Sequence, residues 1–172
     1  MDQGLDTGDM LLQDEVIITK NLTAGDLHDI LMTKGARLLI NTLEKLEKCE
    51  IQPTKQNNEK VTYAPIMNKN MGRINWNDKA ENVHNKIRGM FPWPGAYFIY
   101  KDVNVKAFNS DYYLDKIQKQ PGTVIKANKE GIFVCTSDGV VIIKEIQMPG
   151  KKRMTVENFL LGNTLQENIL LE

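Results

Sequence analysis

The sequence is poor in cysteine and has no long hydrophobic run. Cys49 and Cys135 are its only thiols in 172 residues, and neither has a Cys-x-x-Cys or histidine partner nearby, so neither a zinc site nor a disulfide framework is expected. We expect both thiols to be reduced and partly buried. No stretch approaches the ~20 consecutive apolar residues of a membrane span. The acidic start MDQGLD lacks the regions of a secretory signal. We therefore predict a cytoplasmic protein without a membrane partner or a metal.

Histidine is also scarce. His28 and His84 both lie on predicted helices without a second histidine or a thiol near them in sequence. We therefore expect surface or boundary side chains rather than metal ligands. The remaining composition, 41% hydrophobic and 26% charged, is that of a globular protein with one domain or two small ones.

The net charge of zero conceals an uneven distribution. Residues 1–60 hold 7 basic and 11 acidic side chains, residues 61–153 hold 15 and 8, and the last 19 residues hold 0 and 3. A basic centre between acidic ends is typical of a surface that binds a polyanion, although exposed lysines are distributed this way in many other proteins.

Hydrophobic periodicity predicts two helices in the first half of the chain. The aliphatic run at 10–19 favours a strand or strand pair. Leucine and isoleucine then recur at helical spacing over about 23–47, with Thr23 as N-cap and Asp26 in the first turn. Residues 49–60 have the composition of an exposed connection. Asn77 is predicted to cap a second helix, which ends before 92–95.

The second half of the chain has the pattern of a β-rich domain. Short β-branched and aromatic runs are separated by turn residues, which indicates a small antiparallel barrel or sandwich. A short helix over about 155–161 follows, with Thr155 as N-cap and Gly162 as its stop. The predicted strands are AYFIY, VNVKAF, GTVIKA, GIFVCT and GVVIIKEI.

The loop at 4–9 is the first candidate for chemistry. Gly4-Leu5-Asp6-Thr7-Gly8-Asp9 joins two carboxylates with two glycines, which let the backbone approach a ligand closely. An exposed turn explains the same residues. Asp-Thr-Gly is also the active-site triplet of aspartic proteases, but Asp9 stands where those enzymes have a small residue.

The densest basic cluster is Lys151-Lys152-Arg153. It fits a solvated turn, or one face of a barrel whose cations contact phosphates without reading sequence. Trp76 and Trp93 flank the second helix, where interdomain packing is favoured over base stacking. Further cations that could join the basic face are Arg88, Lys101, Lys106, Lys126, Lys129 and Lys144.

Four stretches of the chain resemble one enzyme family. The segments MDQGLDTGDMLLQDEVIIT, TYAPIMNKNMGRINW, NKIRGMFPWPGAYF and IQMPGKKRMTVENFLLGN occur in the order found in methionyl-tRNA formyltransferases. The G-L-D-T-G-D and P-W-P-G-A pieces also occur in relatives that formylate sugar nucleotides. The stretch PGKKRMTVENFLLG is more typical of the tRNA enzymes.

This resemblance implies a reaction and its site. The α-amine of methionine on initiator tRNA attacks the formyl group of 10-formyltetrahydrofolate, and an Asn-x-His pair works with an aspartate that corresponds to Asp6. Asp6 is expected to orient the histidine. The Asn-x-His and S-L-L-P segments are missing here, so the chain alone is expected to be inactive. With initiator tRNA as the partner, we expect the basic residues named above to contact its phosphates.

The resemblance also implies an α+β architecture in three parts. Residues 1–48 are a remnant of a Rossmann-like formyltransferase domain, a strand plus the long helix; 49–73 is a linker; and 74–172 is an OB-like antiparallel β-barrel with flanking helices. We expect a truncated enzyme that is a monomer, with or without a separate N-terminal piece. The alternatives are a non-catalytic tRNA-binding module or a formyltransferase that acts on a sugar nucleotide.

Overall fold

The computed structural model describes residues 3–4 and 6–172 and divides the chain into two compact units, Met1–Ile66 and Met67–Glu172. The division lies inside the segment predicted as a linker. The three-part domain scheme itself stays a prediction.

The first unit is built around one long helix. α1 spans Ala24–Glu47, and Thr23 is its N-cap, as predicted. The Thr23 hydroxyl oxygen accepts a hydrogen bond from the Asp26 N–H at 3.1 Å, and the Asp26 carboxylate accepts from the Thr23 N–H at 3.0 Å. This reciprocal pair is a capping box, which satisfies two N–H groups at the helix start. Thr42 is the buried residue of the helix, and many of its apolar side chains are exposed.

The predicted strand at 10–19 is wrong. Only Met10 pairs with another segment, in an isolated antiparallel bridge to Thr54, and the described residues from 11 to 19 form no strand. An apolar run becomes a strand when a neighbouring backbone satisfies its hydrogen bonds, and here none does. Ile17 is 85% exposed. The segment 49–60 is consequently more than a connection, since part of it pairs with the N-terminal loop.

The second unit is a six-stranded antiparallel sheet with flanking helices, which confirms the predicted α+β class. All five predicted strands form, and a two-residue sixth strand joins them. The helix near the end forms with Thr155 as its N-cap, as predicted. The elements are the 3₁₀ turn Lys69–Gly72, α2 (Ala80–Gly89), β1 (Ala96–Tyr100), β2 (Val103–Leu114), β3 (Val124–Asn128), β4 (Gly131–Cys135), β5 (Gly139–Gln147), β6 (Met154–Thr155) and α3 (Val156–Leu160).

Strand pairing does not close this sheet into the predicted barrel. The order is β1-β2-β5-β4-β3, with β6 on β5, so β1 and β3 end the path without pairing to each other. The C-terminal segment 168–172 hydrogen-bonds to both ends. The Val124 N–H donates to the Ile169 carbonyl at 2.8 Å, and the Glu172 N–H donates to the Ile99 carbonyl at 3.2 Å.

α2 packs against the sheet through the core, and its cap differs from the prediction. Asn77 is not the N-cap; the N-cap is Lys79, whose side chain forms no capping bond. The Asp138 carboxylate instead accepts a hydrogen bond from the Ala80 N–H at 2.8 Å. His84 is buried rather than at a boundary, and its Nδ1 lies 2.9 Å from Ser110 Oγ.

The tryptophans and cysteines each divide into one buried and one exposed residue. Trp76 is 4% exposed and belongs to the core of the second unit, whereas Trp93 is 54% exposed, contrary to the packing predicted for it. Cys135 is buried, and both thiols are free. Cys49 is exposed, contrary to the expectation of partial burial. Burial raises the pKa of the Cys135 thiol.

Candidate functional site

The loop that carries Asp6 is held by hydrogen bonds to the segment around Thr54. The Gln56 side-chain amide donates to the carbonyl oxygens of Asp6 and Gly8, at 2.9 and 2.6 Å. Met10 and Thr54 exchange two backbone hydrogen bonds of 2.8 and 2.9 Å. Asp6 has φ of 55°, which is left-handed backbone, and it is exposed. The loop is therefore fixed through its backbone, while its carboxylate faces solvent.

The described part of this first unit provides no histidine to work with Asp6. His28 is the one histidine of residues 1–66, and its Nδ1 lies 3.1 Å from the carboxylate of Asp29 on α1. An orienting carboxylate acts by holding an imidazole in one tautomer and position. The loop presents a carboxylate in a defined place but does not contain a complete acid–base pair.

The sheet of the second unit has an outer face, turned away from the core. Successive strand residues point to opposite faces of a sheet. Where β2 pairs with β5, Ala107 and Ile146 form a buried pair. The neighbouring pairs on either side of it along the two strands are not buried. These outer-face pairs are Lys106 with Gln147, Asn109 with Glu145, and Asp111 with Ile142.

Two of the predicted RNA-binding lysines lie on this outer face, each beside a carboxylate. Lys126 pairs in register with Phe133, and its Nζ lies 5.1 Å from the centre of that ring and 3.6 Å from Glu130 Oε2. Lys144 Nζ lies 3.7 Å from Asp111 Oδ2. Half-exposed surface pairs of this kind add little stability, so a phosphate can take the place of either carboxylate.

Arg153 is the most constrained cation of the set. Its Nε donates a hydrogen bond to the Glu145 carboxylate. Its guanidinium lies 5.4 Å from the ring centre of Phe91 and 4.8 Å from that of Phe108. The two rings meet edge to face with centroids 6.1 Å apart. The two rings and Glu145 restrain the guanidinium, and its outer nitrogens remain for a ligand.

Other predicted cations are distributed over three places. Lys151 and Lys152 lie in the turn before β6, are exposed, and form no ion pair within the described residues. Lys129 lies in the turn between β3 and β4 and is exposed. Arg88 is on another element, the last turn of α2, where its Nε donates to Asn85 Oδ1 at 2.8 Å. RNA contact by any of them stays a prediction.

Sequence reasoning misses the acidic residues of the site. Asp111 and Glu145 stand beside Lys144 and Arg153 because of the register between β2, β5 and the turn before β6. No local pattern identifies such partners. Gln56, which anchors the Asp6 loop from about fifty residues away, is missed for the same reason.

Residues 3–4 and 6–172 offer neither a metal-binding cluster nor a helix able to cross a membrane. These residues include no cluster of three or more histidine, cysteine, aspartate or glutamate side chains able to hold a metal ion. None of their helices combines the length and the apolar character that crossing a membrane requires.

Comparison with protein families gives one assignment. The profile described as "Formyl transferase, C-terminal domain" matches residues 66–164. The methionyl-tRNA formyltransferase of Clostridium beijerinckii is 46% identical over 172 residues, which is 100% of this chain and 56% of that protein. That of Clostridioides difficile is 46% identical over 171 residues, 99% of this chain and 55% of that protein. The chain therefore spans about half the length of the curated relatives it matches.

Solved structures with this fold include two relatives that bind folates. The Helicobacter canadensis N-formyltransferase in complex with folinic acid and dTDP-3-aminofucose matches 86% of this chain and 53% of that chain, with a TM-score of 0.66 and 23% identity. HypX of Aquifex aeolicus in complex with tetrahydrofolic acid matches 94% and 28%, with a TM-score of 0.63 and 21% identity. At these identities the similarity concerns the fold alone.

Proposed function

The chain belongs to the formyl transferase family, whose C-terminal domain it contains, and from this premise we propose that it is the tRNA-binding part of a methionyl-tRNA formyltransferase. The complete enzyme would transfer the formyl group of 10-formyltetrahydrofolate to the α-amine of methionine on initiator tRNA. The observation that carries the proposal is the similarity to methionyl-tRNA formyltransferases over the full length of the chain. This similarity favours the tRNA over a sugar nucleotide as the substrate.

The geometry of the second unit supports RNA binding. Lys126, Lys144 and Arg153 are on or beside the outer face, and Lys151 and Lys152 extend it at one end. Lysines that contact phosphates give affinity without sequence readout. We propose the outer face as the tRNA surface of an open, OB-like sheet, with Lys129 and Arg88 at its margins.

Asp6 is proposed to orient the catalytic histidine of the complete enzyme. Its loop has a fixed backbone and an exposed carboxylate, which suits a group that acts on an imidazole from outside these residues. The described residues of the first unit do not by themselves fit the folate, because the loop offers only the exposed carboxylates of Asp6 and Asp9, and His28 pairs with Asp29 instead. The folate would therefore be held by other residues.

The first unit is proposed to complete a formyltransferase domain. α1 has an exposed row of apolar side chains, which in a soluble protein marks a surface that another segment covers. A separate N-terminal piece would supply that cover, so that residues 1–48 are the end of a Rossmann-like domain. We expect the chain to be monomeric and cytoplasmic.

Binding of charged initiator tRNA at rising salt tests this proposal. Phosphate contacts predict that the logarithm of the association constant falls linearly with the logarithm of salt concentration. Replacing Lys151, Lys152 and Arg153 with glutamine should reduce that slope by about three, roughly one per lost contact. The double variant Lys126→Gln and Lys144→Gln should reduce the slope by about two, because both lysines lie on the same proposed surface. Lys45→Gln, in the last turn of α1 in the first unit, is the comparison and should leave the slope unchanged. Absence of binding at low salt would refute the proposal.

A further inference from the structure

The second unit exposes one large aromatic side chain, Trp93, from a loop outside the sheet. Trp93 lies in the loop between α2 and β1 and is 54% exposed. A 2.9 Å hydrogen bond from the Gly95 N–H to the Met90 carbonyl closes this loop. Prolines stand on both sides of Trp93, and each fixes one backbone φ angle. The indole is therefore presented to solvent by a restrained segment.

Cations stand at both ends of the same loop. At the start of the loop, the guanidinium of Arg153 lies 5.4 Å from the ring centre of Phe91. At its end, the Lys106 side chain runs past Gly95, since a Cβ at Gly95 would lie 3.9 Å from Lys106 Nζ. Lys106 is exposed and forms no ion pair among the described residues. The indole thus lies in a loop that has a positive charge at each end.

A flat exposed ring with flanking cations matches the chemistry of a nucleotide. A base stacks on an indole whatever its identity, because every base has a π face, and the adjoining phosphates pair with the cations. Bases inside an RNA duplex are already stacked and are not accessible to an indole, whereas bases in loops and at ends are. A peptide partner would gain less from Lys106 and Arg153 unless it were acidic.

We propose that Trp93 stacks on an unpaired base of the bound RNA, with Arg153 and Lys106 contacting the phosphates on either side of that nucleotide. This inference rests on the proposed tRNA binding. It differs from phosphate contact alone, because it makes binding depend on an unpaired nucleotide and on an aromatic ring.

Binding measurements with the full chain and charged initiator tRNA test the inference. Trp93→Ala should weaken binding about tenfold, as loss of one stacked base does, and Trp93→Phe should restore most of that loss. The salt dependence should stay the same in both variants, whereas Lys106→Gln should reduce its slope by about one. Tyr63→Ala is the matched control and should leave affinity unchanged, because Tyr63 is an exposed aromatic residue of the first unit and not of the proposed tRNA surface. Thermal unfolding would verify that each variant is folded.

A second probe separates the base from the backbone. The unsubstituted chain should bind an RNA duplex with a single-stranded 3′ extension more tightly than the same duplex with blunt ends. Trp93→Ala should abolish that difference in affinity. If Trp93→Ala binds tRNA as tightly as the unsubstituted chain, or loses affinity equally for both duplexes, stacking is refuted while tRNA binding stands. If the unsubstituted chain does not bind tRNA at low salt, the proposed function fails, and the inference fails with it.

Discussion

Asp138 shows how a single residue decides where a helix begins. Its carboxylate accepts a hydrogen bond from the N–H of Ala80, 58 residues earlier, while the N-cap residue Lys79 offers no capping bond. A carboxylate at this position also interacts favourably with the positive end of the helix dipole. The turn between β4 and β5 is thereby connected to the start of α2.

Removing this contact should destabilise the second unit. Asp138→Ala is expected to lower the free energy of unfolding by about 1 kcal/mol, the usual cost of a lost N-terminal cap. Asp138→Asn keeps an acceptor oxygen and should lose less. Urea unfolding of the full chain measures both. Equal stability of Asp138→Ala and the unsubstituted protein would mean that water replaces the carboxylate without cost.

The two tryptophans show the limit of sequence interpretation at the residue scale. Both flank α2 and look alike in the sequence, yet Trp76 enters the core and Trp93 stays in solvent. The difference comes from what the strands place beside each ring, which local sequence does not contain. Lys144 and Arg153 could be selected as cations from the sequence, but their carboxylate partners arise from strand register and could not.

At the scale of elements, α1 is the best-predicted part of the fold. Both its apolar periodicity and its cap lie within the helix and its first turn, so no distant contact is needed to identify it. The strand predicted at 10–19 does not form, because a strand needs a neighbouring strand to pair with. An apolar pattern in the sequence does not show whether such a neighbour exists. The strands of the second unit were predicted correctly because turn residues mark their ends and most of them pair with a strand that is adjacent in sequence, the pairing of β2 with β5 being the exception.

The capping box makes the start of α1 sensitive to acid. Hydrogen bonds from Thr23 hold the pKa of Asp26 below its ordinary value of 3.8. Because the pKa of Asp26 is lower in the folded chain than in the unfolded chain, its ionised carboxylate stabilises the fold fully above the unfolded-state pKa. This stability is lost as the pH falls through the folded-state pKa. Helicity of residues near Thr23 should therefore decrease as the pH falls below about 4.

Asp26→Asn is the variant that checks this expectation. It removes the titrating group, so the acid-induced loss at the first turn should disappear while helicity at neutral pH decreases slightly. Amide hydrogen exchange of residues 24–28, followed from pH 6 to pH 3 with correction for intrinsic rates, measures the effect. Identical pH profiles for the variant and the unsubstituted chain would show that another carboxylate controls this end of the helix.

The C-terminal segment 168–172 contributes more to the sheet than its irregular backbone suggests. It hydrogen-bonds to residues at both ends of the strand path, and its side chains alternate in burial. Leu171 is 2% exposed and belongs to the core, whereas its neighbour Leu170 is 49% exposed. Leu171→Ala should cost about 2–5 kcal/mol in the free energy of unfolding, because it leaves a cavity in a packed core.

Leu170→Ala is the matched control for that substitution. It removes the same atoms one residue earlier from a half-exposed position, so its cost should be well below that of Leu171→Ala. Thermal or urea unfolding compares the two variants directly. Similar losses at both positions would mean that the segment acts through its backbone alone and that Leu171 adds no packing of its own.

At the scale of the whole molecule, the two units divide the proposed tasks unequally. The second unit has a continuous core and a sheet with a basic outer face. The first has a fixed Asp6 loop, an exposed helix face and no histidine beside the carboxylate. Binding and chemistry should therefore be separable in this chain, with binding retained and formyl transfer absent.

Competition with an intact relative tests that separation. Added to a reaction of the Clostridium beijerinckii methionyl-tRNA formyltransferase, the chain should sequester charged initiator tRNA, raise the apparent KM for tRNA and leave kcat unchanged. Excess tRNA should abolish the inhibition, while excess folate substrate should not. The variant with glutamine at Lys151, Lys152 and Arg153 should inhibit much less at the same concentration, because it lacks three of the proposed phosphate contacts.

The same assay, run without the intact enzyme, decides whether the chain has chemistry of its own. A site whose Asp6 carboxylate has no partner imidazole lacks the group that would accept the proton of the attacking amine. No formylmethionyl-tRNA should form at any tRNA concentration, and Asp6→Ala should leave the inhibition of the intact enzyme unchanged, because Asp6 is assigned to catalysis and not to RNA binding. Turnover by the chain alone, if abolished by Asp6→Ala, would mean that these 172 residues complete a site around that carboxylate.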